Sequence, residues 1–283
     1  MSSATLARPR RRPHQARPAL YVVALAVAGV VIVPVAYVVL GGFRTSGQVA
    51  AEPVAWPHPW VFANYGEVLR SASFWRQVGT SLLIATVATA ATVALGSCAA
   101  FALSRYAFRG REALFTFFTL GLLFPVGVGI LPLYLLLREL HLVDTPIGVA
   151  LPEAAFGLPI TIVILRPFMR AIPGELEDAA AMDGCGRVGF FWRILLPLSL
   201  PALVTVSILA FVTSWNAYLL PLLVLNDPAN WTLPLGVASW STQYTQDTSK
   251  ILAFTALSML PALLFFALAE RRIVGGLVGA VKG

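Results

Sequence analysis

Charge is scarce in this sequence. Asp, Glu, Lys and Arg make up 12% of 283 residues, where soluble domains carry about 25%. The deficit excludes an ordinary water-soluble fold, because 58% of the chain is hydrophobic and water would have to be kept from most of it. Cysteine is nearly absent. Cys98 lies in an apolar run and Cys185 in a polar loop, which argues against a disulfide framework. The histidines His14, His58 and His141 are scattered, and no pair has metal-ligand spacing. No G-x-x-x-x-G-K-[ST] occurs, so the phosphate-cradling loop of a nucleotide hydrolase is missing. The net charge of +7 is not laid out as a basic patch interleaved with aromatics, which sets nucleic acid aside as a partner.

Long apolar runs are abundant. A spanning helix needs roughly 20 mostly apolar residues, and the runs 19–43, 78–103, 113–137, 146–165, 198–224 and 251–269 qualify. The expected fold class is all-α, a polytopic membrane protein with about six transmembrane helices in 19–269. Strands of a membrane barrel would instead be about 10 residues of alternating character. The arginines before the first run, Arg8, Arg10, Arg11, Arg12 and Arg17, imitate a secretory or twin-arginine signal. The run is too long for a signal core of about 7–15 residues, so it reads as a retained first span.

Orientation follows from Lys and Arg. With the N-terminus inside, fifteen fall on inside segments and five outside, namely Arg44, Arg70, Arg76, Arg138 and Lys250. Both termini are therefore expected in the cytoplasm, as a basic tail over 1–18 and a C-terminal tail over 270–283. Segments 44–77 and 225–250 would be extracytoplasmic. The first carries Trp56, Trp60, Phe62, Tyr65 and Trp75, suited to the lipid headgroup layer. The second, with Trp231, Trp240 and Tyr244, reads as a binding loop or as an interfacial connector. Prolines inside the runs, including Pro125, Pro132, Pro152, Pro159 and Pro221, predict kinks that face neighbouring helices or a water-filled path.

The longest inside loop spans 166–197. Pro173 suits a first helical position, and Glu175, Glu177 and Asp178 follow where the helix dipole favours negative charge. Leu176, Ala179 and Ala180 share a face, and small residues there let another backbone approach. Gly184 is placed to end the helix in a left-handed cap. Phe190, Phe191, Ile194 and Leu195 form an apolar stripe for the inner membrane surface. Gly184-Cys185-Gly186-Arg187-Val188-Gly189 is formally G-x-G-x-x-G, but no strand precedes it, so a dinucleotide site is not expected. Arg187 and Arg193 read as grips for an acidic partner or as positive-inside anchors.

The loop is where a resemblance becomes specific. Asp178-Ala179-Ala180, three residues, Gly184, nine residues, Ile194, Leu195 and Leu196-Pro197 resemble the cytoplasmic Glu-Ala-Ala motif of ABC importer permeases at every spacing, with Asp178 in place of Glu. Ile172 to Gly184, together with Phe62-Ala63-Asn64-Tyr65, Trp215-Asn216-Ala217-Tyr218 and the tail from Gly276 to Gly283, is similar to the carbohydrate-uptake branch, in particular to the second permease of maltose-, trehalose- and glycerol-phosphate-type systems. Ala217 stands where that branch more often has an acidic residue. The resemblance implies the type I permease fold in a bacterial inner membrane, with a coupling helix formed around Glu175, Glu177, Asp178, Ala179, Ala180, Asp183 and Gly184 and supported by Ile194 and Pro197. It implies a second permease as heterodimer partner, a pair of ATP-binding subunits that hold ATP and Mg, and an extracytoplasmic substrate-binding protein. The chain itself would carry no cofactor, no metal and no catalytic residue. Val281, Lys282 and Gly283 would contact the ATP-binding subunits.

Several readings stay open at this point. Glu153 lines a substrate path or sits at the outer surface beyond the helix start. Trp215, Asn216 and Tyr218 contact sugar or pack between helices. The competing functions are an importer permease for glycerol phosphate, amino acids or peptides, and a secondary transporter with inverted repeats.

Overall fold

The structure, a computed structural model, describes residues 18–241 and 247–280. Among these, the chain is helical, as the runs of Leu, Val and Ala require of backbone that must satisfy its own hydrogen bonds in lipid. The helices are α1 (Pro18–Gly41), α2 (Ser46–Ala51), α3 (Ala63–Arg70), α4 (Ala72–Arg105), α5 (Arg111–Gly121), α6 (Val126–Glu139) and α7 (Pro146–Ala171). They continue with α8 (Glu175–Met182), α9 (Arg187–Phe190), α10 (Leu196–Leu198), α11 (Leu200–Trp215), α12 (Leu219–Val224), α13 (Leu233–Gly236) and α14 (Thr248–Ala280). A π-helical turn, Phe191–Leu195, joins α9 to α10. Among the described residues, four helices are long and apolar enough to cross a membrane, or six if each of two bent pairs is one crossing.

The first of those bent pairs departs from the sequence expectation. The run 113–137 is not one kinked helix: α5 and α6 meet at 97°. Pro125 stands at the break with extended backbone and no N–H to bridge it. The run 198–224 is also broken. α11 stops at Trp215, Tyr218 is unwound, and α12 restarts at Leu219. Asn216 ends α11 by donating its Nδ2 to Val212 O at 2.8 Å, a local bond that competes with continued helix. α7 runs to Ala171, so Arg166 and Arg170 belong to the helix and the loop starts at Ile172, not at 166.

α7 begins cleanly. Thr145 Oγ1 accepts from Gly148 N at 3.1 Å and Pro146 occupies the first helical position. α7 packs along α4 more extensively than any other pair, and α11 packs against both. Glycine sets the α4–α7 distance: a Cβ at Gly96 would lie 2.5 Å from Thr161 Cγ2, and one at Gly157 would lie 3.0 Å from Thr92. A small-residue seam lets two membrane helices gain dispersion contacts that lipid does not supply. One core cluster sits at the end of the bundle that carries α8, built from Ala100, Phe101, Leu165, Met169, Phe190 and Leu195 with their neighbours. Two further clusters fill the middle and the opposite end.

Candidate functional site

Two regions concentrate polar groups that the packing does not require: the surface helix α8 and a cavity between α4, α7 and α11.

The acidic residues Glu175, Glu177 and Asp178 occupy the first turn of α8, where the exposed N–H groups favour negative charge. The C-terminus is a Schellman cap. Cys185 N donates to Ala180 O at 2.8 Å and Gly184 N to Ala181 O at 3.0 Å, with Gly184 at φ 77°. Ala180 is 5% exposed and packs into the core cluster below. The exposed surface therefore consists of Glu175, Leu176, Asp178, Ala179, Ala181, Met182, Asp183 and Gly184, with Met182 89% exposed. Met182 was missed in the sequence, because attention to small residues passed over the long apolar side chain one turn beyond Asp178. Val188 and Trp192 extend the exposed apolar surface past Gly184.

Arginines fix α8 to the bundle. Arg105, at the end of α4, donates Nη2 to Met169 O at 2.9 Å and to Ile172 O at 2.8 Å. Its Nη1 lies 3.8 Å from Glu177 on α8, and its guanidinium stands 5.8 Å over the Phe190 ring. One side chain thus ties α4, the end of α7, α8 and α9. Arg166 does the same for α4 and α5, donating to Leu103 O at 3.1 Å and pairing with Glu112. The sequence counted both only as positive-inside charges.

The π-helical turn has a local cause. Pro197 has no N–H to offer the carbonyl four residues back, and its ring presses on that carbonyl in an α-helix. The turn widens instead, with Leu196 N donating to Phe191 O. Ile194 packs on the core cluster while Pro197 is exposed. At the following corner, α11 leaves at 78° to Arg187–Leu198, and Ser199 is fully buried there with its Oγ unpartnered.

The cavity measures about 330 Å³ and is lined by α4, α7, α11 and the 216–218 break. Glu153 is part of its lining, about 12 Å along α7 from Thr145 at 1.5 Å per residue, two turns inside the helix. Its Oε2 accepts from Ser214 Oγ, and its Oε1 is buried with no partner. Thr161, Thr213 and Tyr218 are further hydroxyl-bearing residues of the lining, while Thr92, also in it, donates its Oγ1 to Ala154 O at 3.3 Å. Trp215 lies elsewhere: it is buried against Phe211 and donates Nε1 to Ser258 O of α14 at 3.3 Å. Asn216 faces that second side too, beside Leu233 and Thr255. The structure therefore brings Glu153 and Tyr218 together and separates them from Trp215 and Asn216. Ser214 was missed, although it adjoins Trp215, because its one-turn relation to the cavity appears only once α11 is laid against α7.

Residues 92–272 match the family described as binding-protein-dependent transport system inner membrane component. The chain belongs to that family. It is 32% identical over 248 residues to the diacetylchitobiose uptake system permease protein of Streptomyces coelicolor, covering 87% of this chain and 82% of that protein. It is 36% identical over 230 residues to the trehalose transport system permease protein of Mycobacterium tuberculosis, covering 80% and 84%. A crystal structure of a bacterial ABC transporter involved in the import of the acidic polysaccharide alginate shares the fold, with a TM-score of 0.78 at 22% identity over 92% of this chain and 99% of that one. The permease is thus a multi-pass membrane protein of a binding-protein-dependent system.

The end of the permease opposite α8 is held by a polar clasp. Arg44, 1% exposed, donates Nη1 to Glu52 O and Pro53 O at 3.0 Å and to Ala55 O at 3.1 Å. Asn64 Nδ2 donates to Gly42 O and Arg44 O. The rings of Phe43, Trp60, Phe62 and Tyr65 cluster around this turn. The stretch before residue 242 folds back onto the bundle, with Leu233 N donating to Ser81 Oγ at 2.8 Å.

Asp247 closes the clasp, accepting from Ser46 Oγ at 2.8 Å and facing Lys250 at 3.4 Å. Burial pushes its carboxyl up, but hydrogen bonds from Ser46 and from the Lys250 backbone and side chain outweigh that and hold it below the usual aspartate range. A carboxyl held low in the folded state adds stability above the ordinary value of about 3.9 and loses it as pH falls through the lowered value. Purified permease should therefore lose thermal stability on acidification through that window, by less than about 1 kcal/mol from this group after solvent screening. Asp247→Asn should flatten that part of the melting-temperature profile, and an unchanged slope would remove the clasp as its source.

Proposed function

We propose that this permease is one transmembrane subunit of an ATP-driven sugar importer. The observation that carries the reading is α8, which presents the Asp178 to Gly184 segment outward while Ala180 and Arg105 fasten it to the spans. Such a helix fits a groove on an ATP-binding subunit, and its Asp178, Ala179, Met182, Asp183 and Gly184 would make the contact. Glu175 and Glu177 would set its charge, and Ile194 and Pro197 would shape the turn that follows it. Closure of two ATP-binding subunits would then push α8 as a fixed part of the bundle and rock the spans between inward- and outward-open states. The sugar assignment is supported by the names of relatives, among them the arabinooligosaccharides transport system permease protein of Halalkalibacterium halodurans, 32% identical over 91% of this chain and 93% of that protein.

In this reading α8 and both termini face the cytoplasm, and segments 44–77 and 225–250 face the binding protein. A second permease completes the path as a heterodimer. ATP and Mg stay on the partner subunits, and this chain does no covalent chemistry. Glu153 and Tyr218 would meet the substrate, with Trp215 and Asn216 holding the α11 break in place. Val281, Lys282 and Gly283, which lie outside the described residues, would add contacts to the ATP-binding subunits.

The test is reconstitution of the permease in vesicles with its second permease, ATP-binding subunits and binding protein. Uptake of a labelled oligosaccharide should require ATP inside and binding protein outside. Uptake driven by a proton or sodium gradient without ATP would overturn the importer reading. ATP-driven uptake of amino acids, peptides or glycerol phosphate in place of sugar would overturn the substrate class alone.

A further inference from the structure

We propose that Glu153 makes the cavity a selectivity filter that passes uncharged, hydroxyl-bearing sugar units and turns back sugar acids. The inference rests on the sugar-importer reading and goes beyond it by assigning a charge rule to this chain.

The cavity is about 330 Å³, within the range of roughly 300–1,000 Å³ typical of small-molecule sites. It is apolar over most of its wall, with Phe156, Ile160, Leu209 and Leu219 among its lining. Against that wall stand the hydroxyl-bearing residues Thr161, Thr213 and Tyr218 and one carboxyl group, that of Glu153. No Lys, Arg or His is among the described residues that line it. A polyol suits this composition: its ring faces pack on the apolar wall and its hydroxyls exchange hydrogen bonds with the polar spots.

Glu153 is singled out by its unequal oxygens. Oε2 is occupied by Ser214 Oγ, which fixes the carboxyl group across the gap between α7 and α11. Oε1 is buried and accepts from nothing. A buried acceptor left open carries a desolvation cost that a donor from a ligand removes. A sugar hydroxyl is such a donor, and so is the ammonium of an amino sugar. A sugar carboxylate is not. It would set a second acceptor-only group against Oε1 in a site without a cation, and two acceptors facing each other in a poorly hydrated cavity leave both without a donor, which is an arrangement by which proteins reject ligands.

The rule is measured in the reconstituted complex, with the permease in its full assembly. Two probes are used: a neutral oligosaccharide and the same oligosaccharide oxidised to a carboxylate at one end. Each is supplied at saturation of the binding protein, established by calorimetry, so that delivery is equal. The wild-type complex should take up the neutral probe at least about tenfold faster than the acid. Glu153→Gln, which brings an amide donor, should narrow that ratio several-fold, whereas Glu153→Asp, which keeps the carboxyl group, should leave it wide. Thr213→Arg, which adds a cation to the wall, should shift uptake toward the acid and gives a second readout should the glutamine variant fail to assemble. Equal uptake of both probes by the wild type, or an unchanged ratio in both Glu153→Gln and Thr213→Arg, overturns the filter while leaving the sugar importer intact. If no sugar enters with ATP, the importer reading fails and the filter falls with it.

Discussion

Gly184→Val should cut ATP-coupled uptake by about ten-fold or more. The residue sits at φ 77°, where an L side chain costs roughly 1–2 kcal/mol and a β-branched one costs more. Valine would pull the turn out of the left-handed region and unmake the two cap bonds to Ala180 and Ala181. The end of α8 would then fray, and Met182 and Asp183 would lose their fixed presentation. Among the described residues, a Cβ at this position meets nothing within 4 Å, so the strain is one of backbone. Gly184→Asn separates the two causes, because asparagine tolerates the left-handed region. That variant should melt close to the parent, and any loss of ATP-binding-subunit capture it shows arises on the partner's side of the contact. Normal coupled uptake in the valine variant would overturn the docking role of α8.

Arg105→Ala should be the most destabilising single change in the loop region. It orphans two carbonyls at the end of α7 and the Glu177 carboxylate together. Hydrogen bonds to a charged group contribute about 1.5–3 kcal/mol each, so the loss is on the order of 3 kcal/mol. Glu177 is the more exposed partner, at 29% of its side chain against 8% for Arg105. Glu177→Gln should therefore cost under about 1 kcal/mol by itself. Arg105→Lys should fall between, since one ammonium serves a carbonyl but does not span two carbonyls and a carboxylate. Thermal unfolding in detergent ranks the three variants, and an alanine variant that melts with the parent would show that the tie does not bear on stability.

The membrane class was legible because hydropathy is additive along a run and survives any tertiary arrangement. The Gly184 cap was readable because a cap is decided within one turn of the chain. The breaks at Pro125 and at 216–218 were not placed, although Pro125 and Asn216 were in view. A proline kinks, breaks or is tolerated according to what its neighbours offer the freed backbone, and those neighbours come from distant sequence. The same holds for charge. A tally uses Arg44, Arg105 and Arg166 only to tell outside from inside, yet the side chain of each is buried against carbonyls of other segments. For Glu153 the sequence posed the right alternatives, outer surface or interior path. The contact that holds its carboxyl group at the cavity comes from Ser214, 61 residues away.

α1 has a consequence of its own. No residue of its 18-residue apolar window is buried by the rest of the chain, and its mean hydropathy of 2.8 is the highest of the candidate spans. Firm attachment gathers at its last turn, where Tyr65 OH donates to Val39 O at 2.7 Å and the Arg44 clasp begins. Truncating side chains along the outer length of α1 should thus leave the folding of the remaining bundle nearly untouched, while its placement follows whatever lipid or neighbouring subunit surrounds it. A fluorophore carried there would report on assembly rather than on the integrity of this polypeptide.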